Sequence, residues 1–563
     1  MRLTSILFLI SVIYILAATS RCANPINPSG GPRDTIPPTL MEATPSTGTI
    51  LYQEQTMTLT FDEFINADKL RQDLIITPQN DIQYKPLLKK NRITIEFEEP
   101  FQDSITYTFN FFNSITDITE KNPAKNLVIA FSTGPYIDSL VVTGSIADLL
   151  TQKPQESIIA ALYPWSDTLD YSTDKPMYFA SSDEKGNFKI SYIKTGNYKL
   201  LAFQDDNNNL LLESQTEAHG FLPDSIPLTV AIDSINLTTF LLDIRPLSLL
   251  SARPFGAYFQ ARYNKPINSY SYITPTDSLI QLYSRMSDDQ ESIQFYPNEQ
   301  VSDSLQLIVS ATDTTQTTVI DTMYLRYTKS TLRSEDFLVN LQPGNEASIQ
   351  DQLTINITAN KPIKTFRQDL LLLQADTVLQ LTPDSITTAF NFDRTSLDIE
   401  IPWTWQSWKD SLETILYTEE DSTQINPSFL QQVQFLLDTG AIVSITNDSS
   451  IAFVRTYREF VPTETGILSY QVNAPNPNAI VELIDDKYET IATKIHQLQG
   501  AFTNVPPGKY GIRILLDTNQ NQKWDVGNLN IDQPTEPIFV MDEFTELRAN
   551  WEVEFPPITL PNM

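Results

Sequence analysis

The chain reads as all-β, a tandem series of β-sandwich domains with little helix. Three observations predict this. Short runs alternate apolar and polar residues at period two, as in Met57-Thr58-Leu59-Thr60-Phe61, Arg92-Ile93-Thr94-Ile95-Glu96-Phe97, Thr106-Tyr107-Thr108-Phe109-Asn110 and Thr354-Ile355-Asn356-Ile357-Thr358, each a strand with one buried face. Thr, Ile, Tyr and Phe are plentiful, Asp, Asn, Pro and Ser bound the runs, and long stretches at helical period are scarce. Proline outnumbers glycine, 36 to 16, so turns at regular spacing separate short strands. At about 100 to 200 residues per domain, a chain of 563 residues accommodates about three to five of them.

Taken in order, residues 1–21 read as a signal peptide: Arg2 supplies the positive region, Ile6 to Ala18 the apolar region, and Thr19-Ser20-Arg21 the approach to a cleavage point. Cys22, the only cysteine of the chain, follows at once. This placement is similar to that of a bacterial lipoprotein, which implies lipidation of Cys22 and anchoring of the mature chain in a membrane. Arg21 departs from the small residue usual before such a cysteine, and the alternative is an ordinary signal peptide that leaves a free thiol. Residues 22–38, with Asn24-Pro25, Asn27-Pro28 and Ser29-Gly30-Gly31-Pro32, read as an extended tether.

The next segment, 39–135, carries Pro45-Ser46-Thr47-Gly48, Leu59-Thr60-Phe61-Asp62-Glu63, Thr106-Tyr107-Thr108-Phe109, Ile115-Thr116-Asp117 and the closing Phe131-Ser132-Thr133-Gly134, after an opening Asp34-Thr35-Ile36-Pro37-Pro38. In that order these residues resemble the bacterial Ig-like domain of S-layer and envelope proteins of the SbsA type. The stretch from Cys22 to Pro38 also looks like an envelope lipoprotein group of the Bacteroidetes type. The resemblance implies a location and an architecture and supplies no reaction.

An internal repeat follows. Gly186-Asn187-Phe188, Gly196-Asn197-Tyr198 and Asp205-Asp206-Asn207-Asn208-Asn209-Leu210-Leu211-Leu212-Glu213 recur as Gly500-Ala501-Phe502, Gly508-Lys509-Tyr510 and Asp517-Thr518-Asn519-Gln520-Asn521-Gln522-Lys523-Trp524-Asp525. Both copies resemble prealbumin-like, carboxypeptidase-regulatory sandwiches, placed at 136–245 and 460–563. Oxygen ligands at alternate positions of a tight loop, closed by a later acid, are what Ca²⁺ coordination needs. The ligands would be Asp205, Asn207, Asn209 and Glu213 in one copy and Asp517, Asn519, Asn521 and Asp525 in the other. The pattern departs from an EF-hand, lacking a glycine after the third ligand and closing too early. The alternative is an Asx-rich turn whose side chains cap their own backbone. An ion here would be structural, and no other cofactor is expected.

Between the copies, 246–335 reads as a β-rich domain with runs such as Ser278-Leu279-Ile280-Gln281-Leu282-Tyr283 and Ser304-Leu305-Gln306-Leu307-Ile308-Val309. Residues 336–459 read as a further sandwich, Ig-like in kind, from Leu370-Leu371-Leu372-Leu373 and Leu397-Asp398-Ile399-Glu400-Ile401. Trp403, Trp405 and Trp408 fall here. In an extended segment Trp403 and Trp405 would share a face, as a glycan-stacking platform requires; the alternative is that these rings fill a core.

Composition excludes several functions. A formal net charge of −31, more negative once Arg2 and Arg21 leave with the signal, argues against nucleic acid as a partner and against adhesion to anionic headgroups. The two histidines, His219 and His496, lie in no catalytic motif, and His219 reads as a loop residue. The expectation is therefore a non-enzymatic outer-membrane lipoprotein, on either side of that membrane, acting as a scaffold or accessory subunit for an envelope protein partner, with surface glycan binding as the alternative.

Overall fold

The computed structural model describes residues 35–560 apart from 79–81, 113, 125–126, 257, 276–281, 297–303, 328–334, 351, 376–378, 382–385, 419–426 and 475–477. The signal peptide, Cys22 and most of the tether, and the greater part of the run 278–283, therefore lie outside the described residues. Two compact units are present, Met1–Val141 with Ser191–Thr195, and Val142–Ile190 with Gly196–Met563. Both are built of short, mostly antiparallel strands in many sheets, so the fold is all-β. Among the described residues no helix is long and apolar enough to cross a membrane.

In the first unit, strands Leu40–Thr44, Thr56–Phe61, Arg92–Phe97 and Tyr84–Lys89 lie side by side in that order. A second sheet contains Ile75–Thr77, Thr106–Asn110 and Val128–Ser132. Period-two alternation decides which side chains meet: Met57, Leu59, Phe61, Ile93, Ile95 and Phe97 share one buried cluster with Tyr107, Phe109, Ile129 and Phe131. The Phe109 and Phe131 rings stack 5.7 Å apart.

The same lateral order occurs twice in the second unit. It runs Leu249–Phe255, Tyr258–Tyr263, Ser292–Phe295, Ser284–Met286, and again Val339–Gln342, Leu353–Ala359, Ser396–Ile401, Thr387–Phe390. All three sandwiches share one corner at the end of their second strand. Asp62 accepts from the Thr39 amide, Asn264 from Ser248 and Asn360 from Leu338, each at 2.8 Å through the side-chain oxygen. In each case the backbone amide of the same residue donates back across the pair at 3.1 Å. The short side chain thus ties the incoming chain to the first strand pair of each sandwich.

The residue after this corner separates the copies. Lys265 is buried; its ammonium donates to the Asp243 carbonyl at 3.0 Å and pairs with buried Asp313 at 2.6 Å. Lys361 repeats the arrangement, donating to the Glu335 carbonyl at 2.5 Å and pairing with Asp448 at 2.7 Å. In the first unit Glu63 stands there instead. Asp117, opposite Ile65 as Asp313 is opposite Ile267, is satisfied without lysine. Burial alone would raise its pKa, but bonds from the amides of Glu120, Lys121 and Asn122 and from the Asn122 side chain outweigh burial and hold it at about 2.

The repeat segments share a second strand order. In one, Asn187–Ile193, Leu140–Asp148 and Ile232–Thr239 form a sheet beside Tyr178–Ser181, Ile159–Pro164 and Gly196–Phe203, the last pairing with both His219–Phe221 and Ile226–Leu228. In the other, Gln499–Val505, Gly466–Asn473 and Glu552–Glu554 lie beside Thr490–Ile495, Ala479–Asp485 and Gly508–Leu516, the last pairing with both Ile538–Val540 and Thr545–Leu547. The Gly-x-Tyr element has a steric cause. A Cβ at Gly196 or Gly508 would lie 3.0 Å from the side chain of Tyr198 or Tyr510, so the tyrosine folds over a bare backbone.

Candidate functional site: the paired Asp/Asn loops

Each loop leaves the long strand that ends at Phe203 or Leu516. The two share one pattern of side-chain-to-backbone bonds. Asp205 accepts from the amides of Asn209 and Leu210, both at 3.1 Å, and Asp517 from Asn521 and Gln522 at 3.1 and 2.8 Å. Asn209 accepts from Leu211 at 2.7 Å and Asn521 from Lys523 at 2.8 Å. Non-glycine residues occupy left-handed backbone at matching places, Asn208 and Leu210 in one loop, Gln520 and Gln522 in the other. The aspartate bonds to Leu210 and Gln522 stabilise that conformation.

The side-chain amides close each loop on itself. Asn207 and Asn209 turn their NH₂ groups onto Glu213 at 2.6 and 2.8 Å, and Asn519 and Asn521 turn theirs onto Asp525 at 2.5 and 2.8 Å. The side-chain amides thus bond to the closing carboxylate of their own loop, as they do in an Asx-rich turn. Among the described residues no group of three or more His, Cys, Asp or Glu side chains is arranged to hold a metal ion.

Two residues missed in the sequence complete the loops. Buried Glu217 accepts from the amides of Asp206 and Glu213 at 3.1 and 2.8 Å. Buried Glu536 accepts from the Thr518 amide and hydroxyl, both at 2.7 Å, and from the amides of Asn519 and Asp525 at 3.1 and 2.9 Å. Burial, with Glu213 and Asp205 close by, pushes the Glu217 carboxyl up against the lowering effect of its amide bonds. Glu217 is four residues beyond Glu213, whereas Glu536 is eleven beyond Asp525, so their equivalence has no common spacing. Replacing Glu536 by Ala is expected to cost about 1–3 kcal/mol, the desolvation penalty of unpaired loop donors. Amide hydrogen exchange across 517–526 should accelerate while that of 205–213 stays unchanged. Unaltered exchange in 517–526 would refute the role.

The two histidines lie in different repeats. His219, expected in a loop, lies in a strand, paired through both backbone groups with Phe240, because the strand after the loop begins at that residue. Burial lowers its pKa to about 4, against a raising bond to the Glu217 backbone. His496 lies 3.8 Å from buried Asp517, in the other repeat.

The tryptophan platform is corrected. Trp405 opens a helix, Trp405–Thr418, in place of an extended segment, and the exposures of Trp403, Trp405 and Trp408 are 8, 3 and 0%. Thr404 and Ser407 cap the helix reciprocally, the Ser407 amide bonding to the Thr404 hydroxyl at 3.2 Å. Helical spacing then turns Trp405, Trp408 and Leu412 to one side, into the core of the surrounding sandwich. Trp405 donates to the Ile349 carbonyl at 2.8 Å and Trp408 to that of Gln432 at 3.1 Å. No indole face is left for a sugar.

Comparison places the first unit. Residues 34–133 match the Bacterial Ig-like domain family. The bacterial Ig-like domain is therefore the sandwich whose corner is Asp62, and the two sandwiches with corners at Asn264 and Asn360 repeat its strand order. No curated protein matches the chain. Among solved structures, the chain is similar to BcpA, the major pilin subunit of Bacillus cereus, at 8% identity over 75% of this chain and 99% of that one, with a TM-score of 0.13. It is similar to domains 1–6 of the surface layer protein SbsC at 11% identity over 92% and 67%, TM-score 0.15. Dimeric latent PorU from Porphyromonas gingivalis aligns at 8% identity over 72% and 46%, TM-score 0.21.

Proposed function

We propose that the protein is a non-catalytic scaffold lipoprotein of the outer membrane, anchored through Cys22 and holding an envelope protein partner on its sandwich faces. The observation that carries this reading is how the junctions are made. Lys265 bonds to the Asp243 carbonyl and Lys361 to the Glu335 carbonyl, each reaching back to the segment that leads into its own sandwich. A flexible string would leave these segments solvated. Here the charges of buried lysines are committed to fixing them, which suits a spacer that must hold a direction. Buried carboxylates are likewise committed to loop amides, and the tryptophans to a core.

The test is mass spectrometry of proteins that co-purify with a tagged copy from detergent-solubilised envelope, beside a Cys22→Ala control. The expected result is stoichiometric recovery of an outer-membrane protein with the unaltered chain. The control is expected to leave the membrane fraction and to lose that partner. A tagged chain that is recovered alone would overturn the scaffold reading, and a Cys22→Ala chain that stays in the membrane fraction would overturn the anchor.

A further inference from the structure

Within the second unit, the two repeated sandwiches touch, although more than two hundred residues of chain separate them. Among the described residues, four contacts cross between them. The Lys199 ammonium pairs with Asp532 at 2.5 Å and also donates to the Pro223 carbonyl of its own repeat at 2.5 Å. The Asn530 amide donates to the Ile244 carbonyl at 2.6 Å. Arg513, held by Glu482 at 2.6 Å, reaches the Leu150 carbonyl at 3.5 Å. The Lys153 ammonium sits 4.4 Å from the centre of the Tyr488 ring.

We infer that these contacts are a clasp: an intramolecular docking surface on residues 136–245 whose partner is the chain's own last sandwich, so that residues 246–459 leave and return at one place. Three features distinguish it from casual contact. Lys199 is a buried cation, and burying an ammonium is unfavourable unless a charge partner is held at bonding distance; Asp532 supplies that partner across the junction. Arg513 is buried at the same time and serves both sides, so the junction has two fixed cations, not one. The segment that supplies Asp532 and Asn530 is a 3-10 turn, Leu529–Ile531, set by Asn528, whose side chain caps it at Asn530. Among the described residues this turn has no counterpart after the first loop, so the second copy carries the projecting half of the clasp. Between the two halves lies a cleft of about 930 Å³, with Trp165, Tyr171 and Arg245 on one wall and Leu529 and Asp532 on the other.

The test uses the full chain in two measurements. A zero-length carbodiimide activates carboxylates and joins them only to an amine already in contact. Lys199 joined to Asp532 should be recovered by peptide mass spectrometry, together with the Lys409–Glu459 pair, 2.7 Å apart, as internal control. Recovery of the control without the Lys199–Asp532 product would overturn the clasp. Asp532→Asn keeps the local Lys199 bond to Pro223 and removes only the crossing charge. Its expected effect is hydrogen exchange several-fold faster in 196–203, on the opposite repeat. Acceleration confined to residues around 532 would overturn the proposal, since the repeats would then not be coupled.

Discussion

Replacing Trp408 by Ala is expected to destabilise the sandwich of residues 336–459 by about 3–5 kcal/mol, the cost of a large cavity where the surroundings cannot collapse. The indole is fully buried, lies 6.2 Å from Trp403, and bonds through its ring nitrogen to the Gln432 carbonyl, so truncation removes packing and a side-chain bond to the neighbouring strand. Several sandwiches in one chain make a single unfolding free energy ill-defined. The measurement is therefore denaturant-dependent protease cleavage mapped by mass spectrometry, in which cleavage within 336–459 should begin at lower denaturant while the bacterial Ig-like domain keeps its transition. Trp165→Ala is the control, because that indole is 52% exposed and its loss should change stability by no more than about 0.5 kcal/mol. Equal behaviour of the two variants would show that the helix Trp405–Thr418 does not anchor this core.

Lys265→Met is expected to cost about 3–5 kcal/mol in the sandwich of residues 246–335, because it leaves Asp313 as an uncompensated buried charge. Lys265 and Asp313 are 2 and 0% exposed, so water cannot replace the lost ammonium. Adding Asp313→Asn should recover much of the loss. The amide oxygen can still accept from Thr315 and Thr317, whose amides bond to Asp313 at 2.9 Å, and the buried charge is gone. Lys361→Met should cost less despite the same motif, since its partner Asp448 is 38% exposed and can be solvated. Mapped proteolysis reads all three variants. A double variant no better than Lys265→Met would refute charge burial as the cause, and a larger loss at Lys361 than at Lys265 would refute burial as the quantity that ranks the pair.

The strand runs were legible because alternation at period two is a local property: Met57, Leu59 and Phe61 can all be buried only if the segment is extended and one face is covered. The repeat was legible for the same reason, since its turn residues recur at fixed offsets. A further signal went unread: Asn264-Lys265-Pro266-Ile267 recurs as Asn360-Lys361-Pro362-Ile363 and marks the corner common to these two sandwiches. The tryptophans misled because Trp403 and Trp405 fit a strand as well as a helix start. The reciprocal bonds of Thr404 and Ser407, which settle the matter, depend on backbone conformation.

By itself, then, the sequence determined the all-β class, the bacterial Ig-like segment and the existence of two copies of a loop, since each is written in neighbouring residues. Only the tertiary structure decided what the charges and aromatics do. Glu536 reaches loop amides far back in the sequence, Lys265 meets Asp313 across two strands, and Lys199 meets Asp532 across two sandwiches. A charge is stabilised by whatever lies within a few ångströms of it once water is excluded, and chain folding, not spacing along the sequence, brings that partner into place.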